Sequence, residues 1–89
     1  MEIEDLKISK EEETWQAKFM SKGDSLLAIE REIQSLVLIY ANIKGMKPIF
    51  LGSFQNPYGA DNTIQLDLPK GLEITIKSKT PILKAKLLY

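Results

Sequence analysis

The segment that most constrains the fold is residues 24–45, which read DSLLAIEREIQSLVLIYANIKG. At about 100° per residue, its large apolar side chains collect in one arc about a third of the circumference wide, which is typical of an amphipathic helix with a buried face. Asp24 is placed to cap the first turn, Gly45 suits the left-handed residue that ends many helices, and Pro48 prevents continuation. The segment therefore predicts a helix. Its core arc consists of Leu26, Ile29, Ile33, Leu36, Val37, Tyr40 and Ile43.

This helix has more apolar surface than its core arc accounts for. Leu27 and Leu38 are eleven residues apart, three full turns, and point about 100° away from the centre of the arc. Ile39 widens the arc on its other side. Two interpretations remain open. The three residues contact either a second protein chain or the remainder of the sheet, including a strand within residues 47–54. The first makes Leu27, Leu38 and Ile39 a candidate interface.

The segments before the helix alternate between apolar and polar residues, which predicts a hairpin of two half-buried strands. With the turn centred on Glu11 and Glu12, the pairing places Ile8 opposite Trp15. The turn lacks the Asn-Gly chemistry of a two-residue loop, so a longer loop is expected. The alternating apolar residues are Leu6, Ile8, Trp15, Ala17 and Phe19.

After the helix, KPIFLGSF (47–54) predicts one strand, and QNPYGADN (55–62) predicts a loop. The remainder alternates in three runs separated by turns at 69–71 and 78–81, which predicts a three-stranded meander in which each strand pairs with the next. Gly71 is expected in a left-handed conformation. The predicted fold class is α+β: a single domain, residues 1–89, with one helix packed on a mostly antiparallel sheet in the order β-β-α-β-β-β-β.

Composition narrows the possible functions. The chain contains neither histidine nor cysteine, so the commonest general base and the thiolate ligands of metals are absent. No glycine pattern for binding phosphates occurs, and no apolar run approaches the roughly 18 residues that span a bilayer. We therefore predict no catalytic, cofactor-binding or metal-binding residues, no enzymatic activity, no membrane partner and a cytoplasmic location.

Two functions remain. The first is a protein-interaction or structural module that associates with another protein or with itself as a homodimer, through the helix and/or a sheet edge. The second is nucleic-acid binding by the basic outer face of the meander. Against the second, the net charge is zero and the face has no aromatic residue from the meander itself, although stacking aromatics are expected on a single-strand platform. The lysines of that face are Lys77, Lys79, Lys84 and Lys86.

The opening half of the chain resembles a family. Two short strands ending in Lys22-Gly23-Asp24, followed by Leu26-Leu27 with Glu30 and Glu32, are similar to small accessory proteins carried by bacteriophages. The likeness covers residues 2–45 and rests on residues of low specificity. It implies a phage context and no site residues, since most such proteins have no known role.

Overall fold

The computed structural model describes residues 1–31, 36–54 and 62–89, and these residues form β-strands and no helix. The helix predicted over residues 24–45 is therefore absent from the described residues. Alternation of apolar and polar residues explains most of the strands. The strands are β1 (Ile3–Asp5), β2 (Ile8–Glu11), β3 (Thr14–Met20), β4 (Asp24–Arg31), β5 (Val37–Asn42), β6 (Ile49–Phe54), β7 (Asn62–Asp67), β8 (Glu73–Ser78) and β9 (Ile82–Leu88).

The strands form two antiparallel sheets that pack on each other as a sandwich. One sheet has four strands in the order β1-β9-β4-β7, and the other has five in the order β2-β3-β8-β5-β6. Only the β2–β3 and β5–β6 connections join neighbours within a sheet; every other connection between the described strands crosses from one sheet to the other. The molecule is 20 Å across its thinnest dimension, as expected for two layers about 10 Å apart.

A single cluster of buried side chains fills the space between the sheets. In the five-stranded sheet, Ala17, Ile76 and Ile39 lie side by side on the inner face. In the four-stranded sheet, Leu27 and Leu87 form the matching inner row. The cluster comprises Leu6, Ala17, Phe19, Leu27, Ile29, Val37, Ile39, Ala41, Leu66, Ile74, Ile76, Ile82, Ala85 and Leu87.

The predicted α+β class is wrong because residues 24–45 form two strands of different sheets. Burial alternates along both: Leu27 and Ile29 are buried in β4, and Val37 and Ile39 are buried in β5, while the residues between them are more exposed. The predicted helical residues 32–35 lie outside the described part of the chain. Gly45 has the expected left-handed conformation (φ +80°), but it lies in the turn between β5 and β6 and does not end a helix.

The first hairpin is confirmed, with a register two residues away from the predicted one. Ile8 pairs with Ala17 rather than Trp15, and the turn contains only Glu12 and Glu13. The expectation of a longer loop is therefore wrong. Glu12 adopts a left-handed φ of 56°, which allows this tight turn without a glycine.

The C-terminal strands form as predicted, but they do not pair with one another. β7 pairs with β4, β8 lies between β3 and β5, and β9 lies between β1 and β4. Gly71 has the expected left-handed conformation (φ +87°), but the chain passes there from one sheet to the other. Ser21 holds this crossing: its hydroxyl donates to the carbonyl of Pro69 and accepts the N–H of Leu72 at 2.9 Å.

Candidate functional site

Among the described strands, the sandwich has four edges, and three of them carry charged residues that discourage pairing with another chain. β1 is only three residues long and includes Glu4 and Asp5. β2 includes Lys10 and Glu11, and β7 ends at the exposed Asp67. The fourth edge is β6, with the sequence IFLGSF, which contains no charge. It is the edge with the least protection against association.

Exposed apolar side chains are concentrated near this edge. Of the ten large apolar residues that are exposed in the described part of the chain, six lie between residues 36 and 51. Phe50 is 56% exposed and Leu51 is 43% exposed. Leu51 is the extra residue of a β-bulge, since Ile39 pairs with Gly52 and Tyr40 with Phe50. The six residues are Leu36, Ile43, Met46, Ile49, Phe50 and Leu51.

A shallow apolar groove runs along β6 on the side that faces β7. Its volume is about 200 Å³, and its lining includes Leu51 and Gly52 from β6 and Ile64, Leu66 and Leu68 from the β7 side. A Cβ atom added at Gly52 would meet no atom within 4 Å, so the inner end of the groove is open. The groove offers space for apolar side chains beside an unprotected edge.

The outer face of the five-stranded sheet combines basic and aromatic side chains. Across the sheet, Lys18 of β3 lies opposite Thr75 of β8, which lies opposite Tyr40 of β5, which pairs with Phe50 of β6. The rings of Tyr40 and Phe50 meet edge to face, with centroids 5.6 Å apart. The ammonium of Lys77 lies 5.3 Å from the centroid of the Tyr40 ring, within the range of a cation–π interaction.

Next to this row lies a second groove, with a volume of about 330 Å³. Its walls combine the aliphatic side chains of Leu36 and Leu38 with Tyr40 and the two lysines Lys77 and Lys79; Thr14 and Ser78 complete it. The groove therefore combines apolar side chains with two positive charges, and ligand pockets are generally lined by apolar residues with a few polar or charged groups.

The structure separates the three residues of the candidate interface. Leu27 and Ile39 are 0% and 4% exposed, so both belong to the core of the sandwich and are unavailable to a partner. Leu38 is half-buried on the outer face of the five-stranded sheet, where it lines the second groove. The helix on which these three residues were predicted to form one surface does not exist in the described part of the chain. Sequence reasoning missed β6 as the apolar surface, although three large apolar residues in succession, Ile49–Leu51, were its signal.

The four lysines of the candidate nucleic-acid face are also separated, because the predicted meander does not form. Lys77 and Lys79 lie at the second groove of the five-stranded sheet. Lys84 and Lys86 lie on β9 of the other sheet, opposite Glu30 and Ala28 of β4. Lys86 also pairs across the sheet with Asp5, so acidic residues accompany the second pair of lysines.

The candidate 55–62 loop lies outside the described residues except for Asn62, which begins β7. Within the described ranges, no group of three or more acidic residues is placed to hold a metal ion. In the same ranges there is no helix that could cross a membrane.

No protein-family model matches the chain, and no curated protein or solved structure matches it either. The resemblance of residues 2–45 to bacteriophage accessory proteins therefore stays a prediction.

Proposed function

We propose that this chain is a non-enzymatic protein-interaction module that forms a homodimer through the edge of β6. The observation that carries the proposal is the uncharged, apolar edge: IFLGSF is six residues long, with Ile49, Phe50 and Leu51 between 37% and 56% exposed. An edge strand of this kind presents unpaired backbone groups and apolar side chains together, which favours addition of a further strand. A cytoplasmic location stays a prediction from the sequence.

A second copy of the chain fits this edge for two reasons. Two β6 strands that pair antiparallel about a twofold axis present the same surface to each other, which is the commonest arrangement in protein dimers. Because β6 carries no charge, its copies do not repel each other, whereas two copies of β1 would bring together Glu4 and Asp5 of both chains. Pairing would join two five-stranded sheets into one, and the groove beside Leu51 would receive apolar side chains from the partner.

The test is the solution mass by light scattering over a wide concentration range, for the wild type and for Leu51→Lys. We expect a concentration-dependent dimer for the wild type. Leu51→Lys should raise the dissociation constant about a hundredfold, because it places a charge in the interface on each copy.

Leu83→Lys is the matched control. Leu83 is also the extra residue of a bulge, between Ile82 and Lys84 of β9, and it is 46% exposed, close to the 43% of Leu51. We expect this variant to dimerise like the wild type. A monomeric wild type, or equal dissociation by both variants, would show that the β6 edge is not the interface.

A further inference from the structure

We propose that the outer face of the five-stranded sheet binds single-stranded nucleic acid, with bases stacked beside β6 and phosphates at the neighbouring lysines. The surface, which we call the aromatic-basic face, consists of Lys18, Tyr40, Phe50, Lys77 and Lys79. It draws on strands β3, β5, β6 and β8, and on the turn after β8. It differs from the lysine face predicted from the sequence, because Lys84 and Lys86 lie on the other sheet.

The face carries three lysines. Lys18 and Lys79 are exposed, Lys77 lies between them on the same face, and the ammonium of Lys77 lies 5.3 Å from the centroid of the Tyr40 ring. The carboxylate of Glu73 lies at one end of the face, 3.3 Å from the side-chain nitrogen of Asn42. Glu11 of β2 lies at the opposite corner of the sheet. The centre of the face is therefore positive, as contacts with phosphates require.

The exposed ring of Phe50 offers a surface for stacking. Phe50 is 56% exposed, and the ring of Tyr40 meets it edge to face at 5.6 Å, which leaves much of the Phe50 ring open to a planar ligand. Bases stack on aromatic rings of this kind without regard to sequence. Lys77 lies over Tyr40, so a phosphate bound there would be next to a base on Phe50.

The dimensions of the face also fit a single strand. The row from Lys18 to Phe50 crosses four strands, which is about 14 Å at the usual strand spacing. The adjoining groove of about 330 Å³, with Leu36 and Leu38 among its lining residues, falls in the size range of small-ligand pockets and can accept a splayed base. Stacking on Phe50 and insertion into the groove both require an exposed base, so a single strand fits the face and a duplex does not.

The test measures the fluorescence anisotropy of labelled oligothymidine and oligouridine, each about 12 nucleotides long, at about 50 mM salt. We expect the wild type to bind either oligonucleotide and to bind a duplex of the same length at least tenfold more weakly. Lys77→Gln with Lys79→Gln should weaken binding about tenfold. The slope of log affinity against log salt concentration should become shallower by about 1.4, since each single-strand phosphate contact contributes about 0.7.

The matched control is Lys84→Gln with Lys86→Gln, which removes the same charge from the other sheet and should leave the affinity within about twofold of the wild type. The proposal is overturned if the wild type does not bind, if the duplex binds as tightly, or if both pairs of substitutions weaken binding equally.

Phe50→Leu removes the stacking ring, so oligonucleotide affinity should fall about tenfold. Lys77→Gln with Lys79→Gln separates this proposal from the dimer, because both lysines lie outside β6: oligonucleotide affinity should fall while the solution mass is unchanged. Leu51→Lys should have the opposite profile, a monomer that still binds. Unchanged affinity in Phe50→Leu would contradict stacking at that residue, whatever the outcome of the dimerisation test.

Discussion

The two edges on the same side of the sandwich, β6 and β7, are each six residues long and line one groove, but they present different surfaces. On β7, Thr63, Gln65 and Asp67 are exposed and the apolar residues Ile64 and Leu66 are turned inward to differing extents. On β6, three large apolar residues, Ile49, Phe50 and Leu51, are exposed. Position at an edge therefore does not decide whether a strand is open to pairing; the outward side chains do.

The strands next to these edges differ as well, and the largest expected effect tests that difference. Leu27 of β4 lies beside β7 and is 0% exposed, whereas Leu38 of β5 lies beside β6 and is half-buried on the outer face. Leu27→Ala should lower the free energy of unfolding by about 3–4 kcal/mol, since it leaves a cavity in the core. Leu38→Ala should cost about 1 kcal/mol. Urea denaturation measures both values, and equal costs would contradict the assignment of Leu27 to the core.

A smaller effect tests how β7 is held at its end. Ser21 contacts the crossing after β7 through Pro69 and Leu72, and Ser21→Ala would leave the N–H of Leu72 without its hydroxyl acceptor. We expect a loss of about 1–3 kcal/mol, also measured by urea denaturation. Ser53→Ala is the control, because Ser53 is exposed on β6, and it should change stability by less than about 0.5 kcal/mol. Comparable losses in both variants would show that the buried hydroxyl does not anchor β7.

The smallest effect lies at the far side of the sandwich, in the turn between β2 and β3. Glu12 has φ 56°, a conformation that glycine adopts without strain, so Glu12→Gly should raise the unfolding free energy by about 0.5–1 kcal/mol. Glu13→Gly removes the same charge without relieving a left-handed residue and should not stabilise the chain. Thermal unfolding distinguishes them. Neither variant should alter the solution mass, and a change in mass would assign association to the β2 edge instead of β6.

The sequence predicts individual strands better than it predicts their neighbours. Alternation identified the hairpin and the three C-terminal strands, because period two reports which side chains are buried. It does not report which strand lies alongside, since a hairpin and a crossing to the opposite sheet bury the same face. The meander was predicted on that basis, and Gly71 has the same left-handed conformation in either arrangement.

The helix was predicted because the apolar residues of 24–45 fit both the period of a helix and that of a strand. The run Leu26-Leu27-Ala28-Ile29 is continuously apolar, which does not distinguish a helix from a buried strand. The β-branched residues Ile29, Ile33, Val37, Ile39 and Ile43 were the signal for strands. The aromatic-basic face lay beyond sequence reasoning for a different reason: Tyr40, Phe50 and Lys77 come from three strands that only the sheet brings together.

The order of strands in the four-stranded sheet has a consequence for synthesis on the ribosome. No strand in that sheet is next to its sequence neighbour, and β9 lies between β1 and β4, so the sheet cannot be completed before residue 88 has been translated. The β5–β6 hairpin needs only residues up to 54. At a translation rate of about 5–20 residues per second, the apolar edge of this hairpin is synthesised a few seconds before the core can close. A nascent chain therefore displays β6 while the rest of the sandwich is still incomplete.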